Sequence, residues 1–168
     1  KILDSTGRGS RRISVISPPP PRDHGIQVAN MSLGGTFPSR SLRKACDNAY
    51  KAGVLLVAAA GNNGSSRVLY PAKYDSVIAV SALDKNVVNP DESDSLASWS
   101  NYGSQIELAA PGVDINSTWL GGTYTSKSGT SMSSPHVTGT AAVVSALGID
   151  SGASAVRDQL DKTAEDLG

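Results

Sequence analysis

Val54-Leu55-Leu56-Val57-Ala58-Ala59-Ala60-Gly61-Asn62 is the stretch that decides the fold. Seven apolar residues in a row, with no polar alternation, read as a strand buried on both faces, as in parallel sheets covered by helices. Gly61 lets the chain turn at the carboxyl end of that strand. On its amino side, residues 39–53 read as a helix with Leu42, Ala45, Cys46, Ala49 and Tyr50 on one face, and residues 26–31 as another strand. Strand, helix, strand in that order is a βαβ unit, whose crossover is expected to be right-handed. Further short strands are predicted at 77–82 and 106–109. Gly121-Gly122 between Thr118-Trp119 and Thr123-Tyr124 predicts a hairpin. Residues 153–167 read as a helix with Val156 and Leu160 inward. Strands alternating with helices argue an α/β protein.

Ligands of open α/β sheets bind beyond the carboxyl ends of the strands, which makes Asn62 a candidate site residue. A second candidate stands at the start of another helix, in Gly129-Thr130-Ser131-Met132-Ser133-Ser134-Pro135-His136-Val137-Thr138-Gly139. The helix carries an apolar stripe of Val137, Thr140, Ala141, Val144 and Leu147 and stops near Gly148, so Ser131 falls in its first turn. Backbone N–H groups there have no intrahelical acceptor and favour an anion forming beside Ser131. Pro135 fits, since the first turn can spare an N–H. Taken singly, Ser131 reads equally as an N-cap and Asn62 as part of an ordinary Asn-Asn-Gly turn.

Taken together, Gly129 to Gly139, the run 57–64 (Val-Ala-Ala-Ala-Gly-Asn-Asn-Gly) and Asn30-Met31-Ser32-Leu33-Gly34-Gly35 resemble the subtilisin-like serine peptidases, the subtilases. The resemblance covers the chain except for about residues 10–24. It implies a three-layer, parallel-sheet α/β fold of which this chain is an incomplete version. It also implies an endopeptidase in which Ser131 attacks the scissile carbonyl and Asn62 donates its amide to the oxyanion. Such a donor is worth about 3 kcal/mol, a magnitude that comes from a subtilisin and not from this chain. Thr130 is expected either to support the oxyanion hole through its hydroxyl or simply to pack.

The same resemblance assigns substrate contacts. Gly7, Arg8 and Gly9 line one side of the cleft and Ser32, Leu33 and Gly34 the other, so a polypeptide substrate adds between them as a middle strand. The first pocket is walled by Ala59, Ala60 and Gly61. Its base lies near Leu69, where many relatives carry a smaller residue, and Leu69 either shallows the pocket or points into the core. Asn63 leaves the rim uncharged. The chemistry needs no cofactor. Tyr70-Pro71 matches a family turn with a cis proline, and the resemblance allows a structural calcium at a weak cation site made of the carbonyls of Ala72, Tyr74 and Val77.

A nucleophilic serine needs a general base, normally a His oriented by a carboxylate. The chain has two histidines. His136 follows Ser131 by a turn and a half on one helix and is expected to be structural. His24, in Pro-Arg-Asp-His-Gly, lacks the family's surroundings for the catalytic His and reads as a loop residue. Asp4, in Ile-Leu-Asp-Ser-Thr-Gly, superficially matches the catalytic Asp motif, but the segment fits the cleft strand better. The expectation is a fragment that starts after the catalytic Asp and His and whose natural partner is the missing N-terminal part of the same catalytic domain. Residues 10–24 are anomalous. Four consecutive prolines, Pro18 to Pro21, forbid the helix that the family places there. Either two compensating reading-frame errors or an exposed insertion explains the segment.

The remaining composition is bland. At 168 residues and 39% hydrophobic content the chain can bury one core. Zero formal net charge gives no electrostatic case for nucleic acid or an anionic membrane, and no apolar run approaches the roughly 18 residues of a membrane span. The single cysteine, Cys46, reads as a small core residue. Extracellular location follows from the family resemblance alone.

Overall fold

The computed structural model describes residues 25–84, 94–148 and 152–166. The expectations for Asp4, Gly7, Arg8, Gly9, His24 and the segment 10–24 fall outside the described residues. The elements are β1 (Val28–Met31), α1 (Arg40–Lys51), β2 (Leu55–Ala59), β3 (Ile78–Asp84), β4 (Ser95–Leu96), β5 (Leu108–Pro111), β6 (Ile115–Trp119), β7 (Thr123–Lys127), α2 (Thr130–Ala146) and α3 (Ala153–Thr163).

β1, β2, β3 and β5 lie side by side and parallel, with Met31 opposite Ala58, Ala59 opposite Val80, and Val80 opposite Leu108. The two residues of β4 pair antiparallel with the end of β3. Alternation along β2 feeds two cores. Leu56, Ala58 and Ala60 pack with Cys46 and Ala49 of α1. Leu55 and Val57 pack with Val137 and Ala141 of α2 and with Val156 and Leu160 of α3. Helices therefore cover both faces of a mostly parallel sheet, which is why β2 is apolar throughout.

α1 forms where its amphipathic pattern places it. Ser39 caps it by accepting a hydrogen bond from Leu42 N (3.3 Å), and Cys46 and Ala49 are buried. Burial, aided by the neighbouring Asp47 charge, pushes the Cys46 thiol up to about 11, as befits a core residue rather than a reactive one.

Two expectations need correction, and one strand was not read. The strand predicted at 106–109 begins instead at Leu108, because Ile106 N closes a turn onto Gly103 O (2.9 Å). β4 was not legible: two exposed residues carry no pattern. In α2, Val137 and Ala141 face inward, but Thr140 and Leu147 are exposed, and the buried positions of its first turns are Thr130, Ser133 and Ser134. Thr130 and Ser134 are polar at this end because their hydroxyls bond Asn62 and Asn30, whereas the buried Ser133 Oγ has no hydrogen-bond partner among the described residues.

Candidate active site

Because β1 and β2 are parallel neighbours, the loops that leave them, at Ser32 and at Gly61, emerge along one edge of the sheet. α2 begins at that edge. Gly129 precedes it without any side-chain cap, and Ser131 is its second residue. The structure brings Ser131, Ser32, Asn62 and Thr130 together there. Ser32 Oγ donates to Ser131 O (2.7 Å), and Ser131 Oγ donates a long bond to Ser32 O (3.4 Å). The Ser131 hydroxyl is only half-buried and so weakly held that an approaching carbonyl can displace its partner.

Asn62 is fixed by its oxygen. Its Oδ1 accepts from Thr130 N (2.9 Å) and from Thr130 Oγ1 (2.8 Å), and Thr130 Oγ1 accepts in turn from Gly61 N (3.1 Å). Two donors on Oδ1 define which end of the amide is which, leaving Nδ2 as the end turned from Thr130. A Cβ built on Gly129 lies 3.5 Å from this Nδ2. The amide donor therefore sits beside the residue that leads into Ser131. Thr130 is fully buried, and its hydroxyl links both elements of the site.

His136 does not join them. Its ring Nδ1 lies 2.8 Å from Met132 O, one turn back on the same helix, and the residue is exposed. Bonded to a carbonyl, Nδ1 carries the proton. The ring braces α2, as its sequence position predicts. Among the described residues no histidine reaches Ser131.

Ala59, Ala60 and Gly61 are buried and form the wall between β2 and Asn62. Leu69 belongs to neither apolar core; its side chain lies between Gly34 and Gly61. A Cβ added to Gly34 comes within 2.9 Å of Leu69 Cβ, and one added to Gly61 within 2.7 Å of Leu69 Cγ. Both glycines are therefore required by the close approach of this side chain.

At the turn after Tyr70-Pro71, which has the expected cis bond, Tyr74 O accepts from Val77 N (2.9 Å). Arg157 Nη1 donates to Asp75 O (2.8 Å), and Arg157 grips Glu107 with Nε (2.5 Å) and Nη2. Burial pulls the guanidinium's affinity for its proton down, but the Glu107 carboxylate more than reverses this, so Arg157 stays charged. Among the described residues there is no group of three His, Cys, Asp or Glu side chains that could hold a metal ion.

Two contributors were missed in the sequence. Asn30 opens one of the motifs that carry the resemblance, but no role is read for its side chain there. Its Oδ1 accepts from Ser134 Oγ (2.6 Å) and Thr138 Oγ1 (3.2 Å), and its Nδ2 donates to Ser32 Oγ (2.9 Å), so it ties β1 to the start of α2. A polar residue inside an apolar strand is the signal that could have found it. Asn101 is the other, and nothing in its loop sequence distinguishes it.

A sheet with helices on both faces, and a helix-borne serine meeting a fixed asparagine amide at its carboxyl edge, defines an α/β protein with a serine-centred cleft. The profile of the Subtilase family matches residues 4–168. Subtilisin DY of Bacillus licheniformis is 46% identical over 172 aligned residues, covering all of this chain and 60% of that protein. Subtilisin Savinase of Lederbergia lenta is 40% identical over 168 residues, with the same coverage. Among solved structures, Sphericase superposes with a TM-score of 0.89 at 32% identity, over 98% of this chain and 58% of that one. The S41 psychrophilic protease does so with a TM-score of 0.86 at 33% identity, covering 59% of its chain. The chain belongs to the subtilase family and spans about three-fifths of the length of these relatives.

Proposed function

We propose that this chain carries the nucleophile and the oxyanion donor of a subtilisin-like serine endopeptidase, with Ser131 attacking the peptide carbonyl and Asn62 Nδ2 donating to the oxygen as it becomes negative. The observation that carries the reading is the pair of hydrogen bonds from Thr130 to Asn62 Oδ1, which leaves the donor end of a preorganised amide beside Gly129, two residues before Ser131. The positive end of the α2 dipole adds to the field at this point. The general base and its carboxylate belong to the part of the catalytic domain expected upstream. Without them, acyl transfer by these residues falls to roughly 10³–10⁴-fold over water, a range that itself comes from a subtilisin. Extracellular action on polypeptides accompanies this reading by family likeness.

Substrate pairs as an added strand with Ser32, Leu33 and Gly34, which makes the main chain of the peptide the principal determinant. Leu69, seated between Gly34 and Gly61, shallows the first pocket, so modest side chains are accepted ahead of large aromatic ones. Calcium is a poor fit at the 72–77 turn. One carbonyl there is already bonded to Val77 N, and Glu107 and the Asp75 carbonyl are taken by a guanidinium that supplies the positive charge. Chelation with EDTA is expected to leave the thermal midpoint of the chain unchanged; a drop of several degrees would return calcium to this turn.

The test of the main reading is covalent capture by a fluorophosphonate, located by peptide mass spectrometry. The chain alone should label slowly, and protein extended upstream through the catalytic Asp and His should label rapidly at Ser131. Extended protein that leaves Ser131 unmodified would reject the assignment. A second reading, a module that holds extended peptides without cleaving them, draws on the bond that turns His136 onto Met132 O. It expects peptide affinity with no labelling in either form.

A further inference from the structure

Asn101 lies outside every motif, yet it is a fully buried polar side chain next to the cleft. Its amide is saturated. Oδ1 accepts from Asn63 N (2.8 Å) and Ser65 N (3.4 Å), while Nδ2 donates to Ala60 O (3.1 Å) and Arg67 O (2.8 Å). Its backbone N donates to Gly61 O (2.9 Å). These partners flank Asn62 on both sides, and none of them is Asn62 itself. The loop that carries the oxyanion donor is thus wrapped around one side chain. A Cβ on Gly61 would strike Asn101 Nδ2, so the loop approaches the amide as closely as a glycine allows.

The clamp is itself anchored. Ser100 Oγ accepts from Ala82 N of β3 (2.9 Å) and donates to Asn101 O (3.2 Å), and Gly64 N donates to Trp99 O (2.8 Å). A rigid connection therefore runs from the central sheet through residues 99–101 to the loop holding Asn62. Thr130 orients the Asn62 amide from the α2 side and touches the loop backbone at Gly61 N, whereas the Asn101 side chain bonds the backbone on both sides of Asn62. Asparagine suits the clamp because one side chain supplies two donors beside an acceptor oxygen, whereas Ser has a single donor and an ionised Asp has none.

We infer that Asn101 is a positioning residue for the oxyanion hole, holding residues 60–67 so that Asn62 Nδ2 meets the developing charge at Ser131. The inference rests on the peptidase reading of Ser131 and Asn62. Were Asn101 merely a structural plug, its loss would weaken the fold without regard to Asn62.

The test uses the protein extended upstream through the catalytic Asp and His and, as probe, an acetylated dialanyl boronic acid, which forms a tetrahedral borate on Ser131 Oγ with loss of the hydroxyl proton to solvent. Affinity is measured for the wild type, Asn101→Ser, Asn62→Ala and the double variant, with amide hydrogen exchange alongside. Asn101→Ser should weaken the borate complex about 10-fold, and Asn62→Ala more. The double variant should be no weaker than Asn62→Ala alone, and exchange at Asn63 and Ser65 should quicken while the β6–β7 hairpin is unchanged. Full additivity in the double variant, or wild-type affinity in Asn101→Ser, overturns the inference and leaves the peptidase reading standing. A wild type that takes up no boronate rejects that reading, and the inference falls with it. Should Asn101→Ser fail to fold, Asn101→Asp decides. Its oxygen still accepts from Asn63 N, and protonation at acid pH restores one donor, so its affinity relative to wild type should recover as pH falls; no recovery overturns the inference.

Discussion

α1 and α2 both pack on the sheet, but their first turns are finished differently. Ser39 caps α1 with its side chain, and α1 is sharply amphipathic, with Cys46 and Ala49 seated on β2. α2 starts after an uncapped Gly129, buries Thr130, Ser133 and Ser134, and spends its first hydroxyl groups on Asn62 and Asn30 rather than on its own backbone. One helix start is completed for stability. The other is tied at Thr130 N to Asn62 Oδ1 of the loop after β2, so its start is joined to the proposed site rather than to a cap of its own.

Substitutions can break this contrast. The largest effect is expected from Asn62→Ala in protein carrying its general base: acyl transfer should fall about 10²–10³-fold, a magnitude known from a subtilisin, with the thermal midpoint nearly unmoved. An equal loss in both would show that the Asn62–Thr130 bond is structural. Gly61→Ala attacks the hinge between the two functions. At φ +114, and with Leu69 Cγ 2.7 Å from the added carbon, it should destabilise the fold by about 2–3 kcal/mol, read as a lower urea midpoint; a neutral result would contradict the packing around Asn101. Leu69→Gly should open the first pocket and raise cleavage after Phe relative to Ala about 10–100-fold; an unchanged ratio would place Leu69 outside the pocket. Ser39→Ala should cost about 1 kcal/mol and no activity, and loss of turnover would erase the distinction drawn between the two helices.

The same contrast decides what could be read without coordinates. β2 was legible because helices cover it on both sides, and α1 because one face is apolar at helical spacing. Ser131 and Asn62 were legible as a pair through the family resemblance that their motifs carry together, not from either residue's own setting. The inward stripe of α2 was misjudged at Thr140 and Leu147, which are exposed because α2 meets the apolar core through Val137 and Ala141. Asn101 escaped notice because its partners lie 34 to 41 residues away in the chain and no local pattern marks a buried amide. Arg157 and Glu107, 50 residues apart, were invisible for the same reason.

The sequence by itself determined the α/β class, the strand order that puts two loops on one edge, and the residue types able to perform acyl transfer. These rest on local periodicity and on backbone freedom, both written along the chain. Only the tertiary structure decided which end of the Asn62 amide is the donor, that Leu69 lies between Gly34 and Gly61, and that Arg157 ties Glu107 to the Asp75 carbonyl. Each is a contact between side chains and backbone far apart in sequence. Such contacts depend on how close packing brings the elements, a quantity the order of residues does not contain.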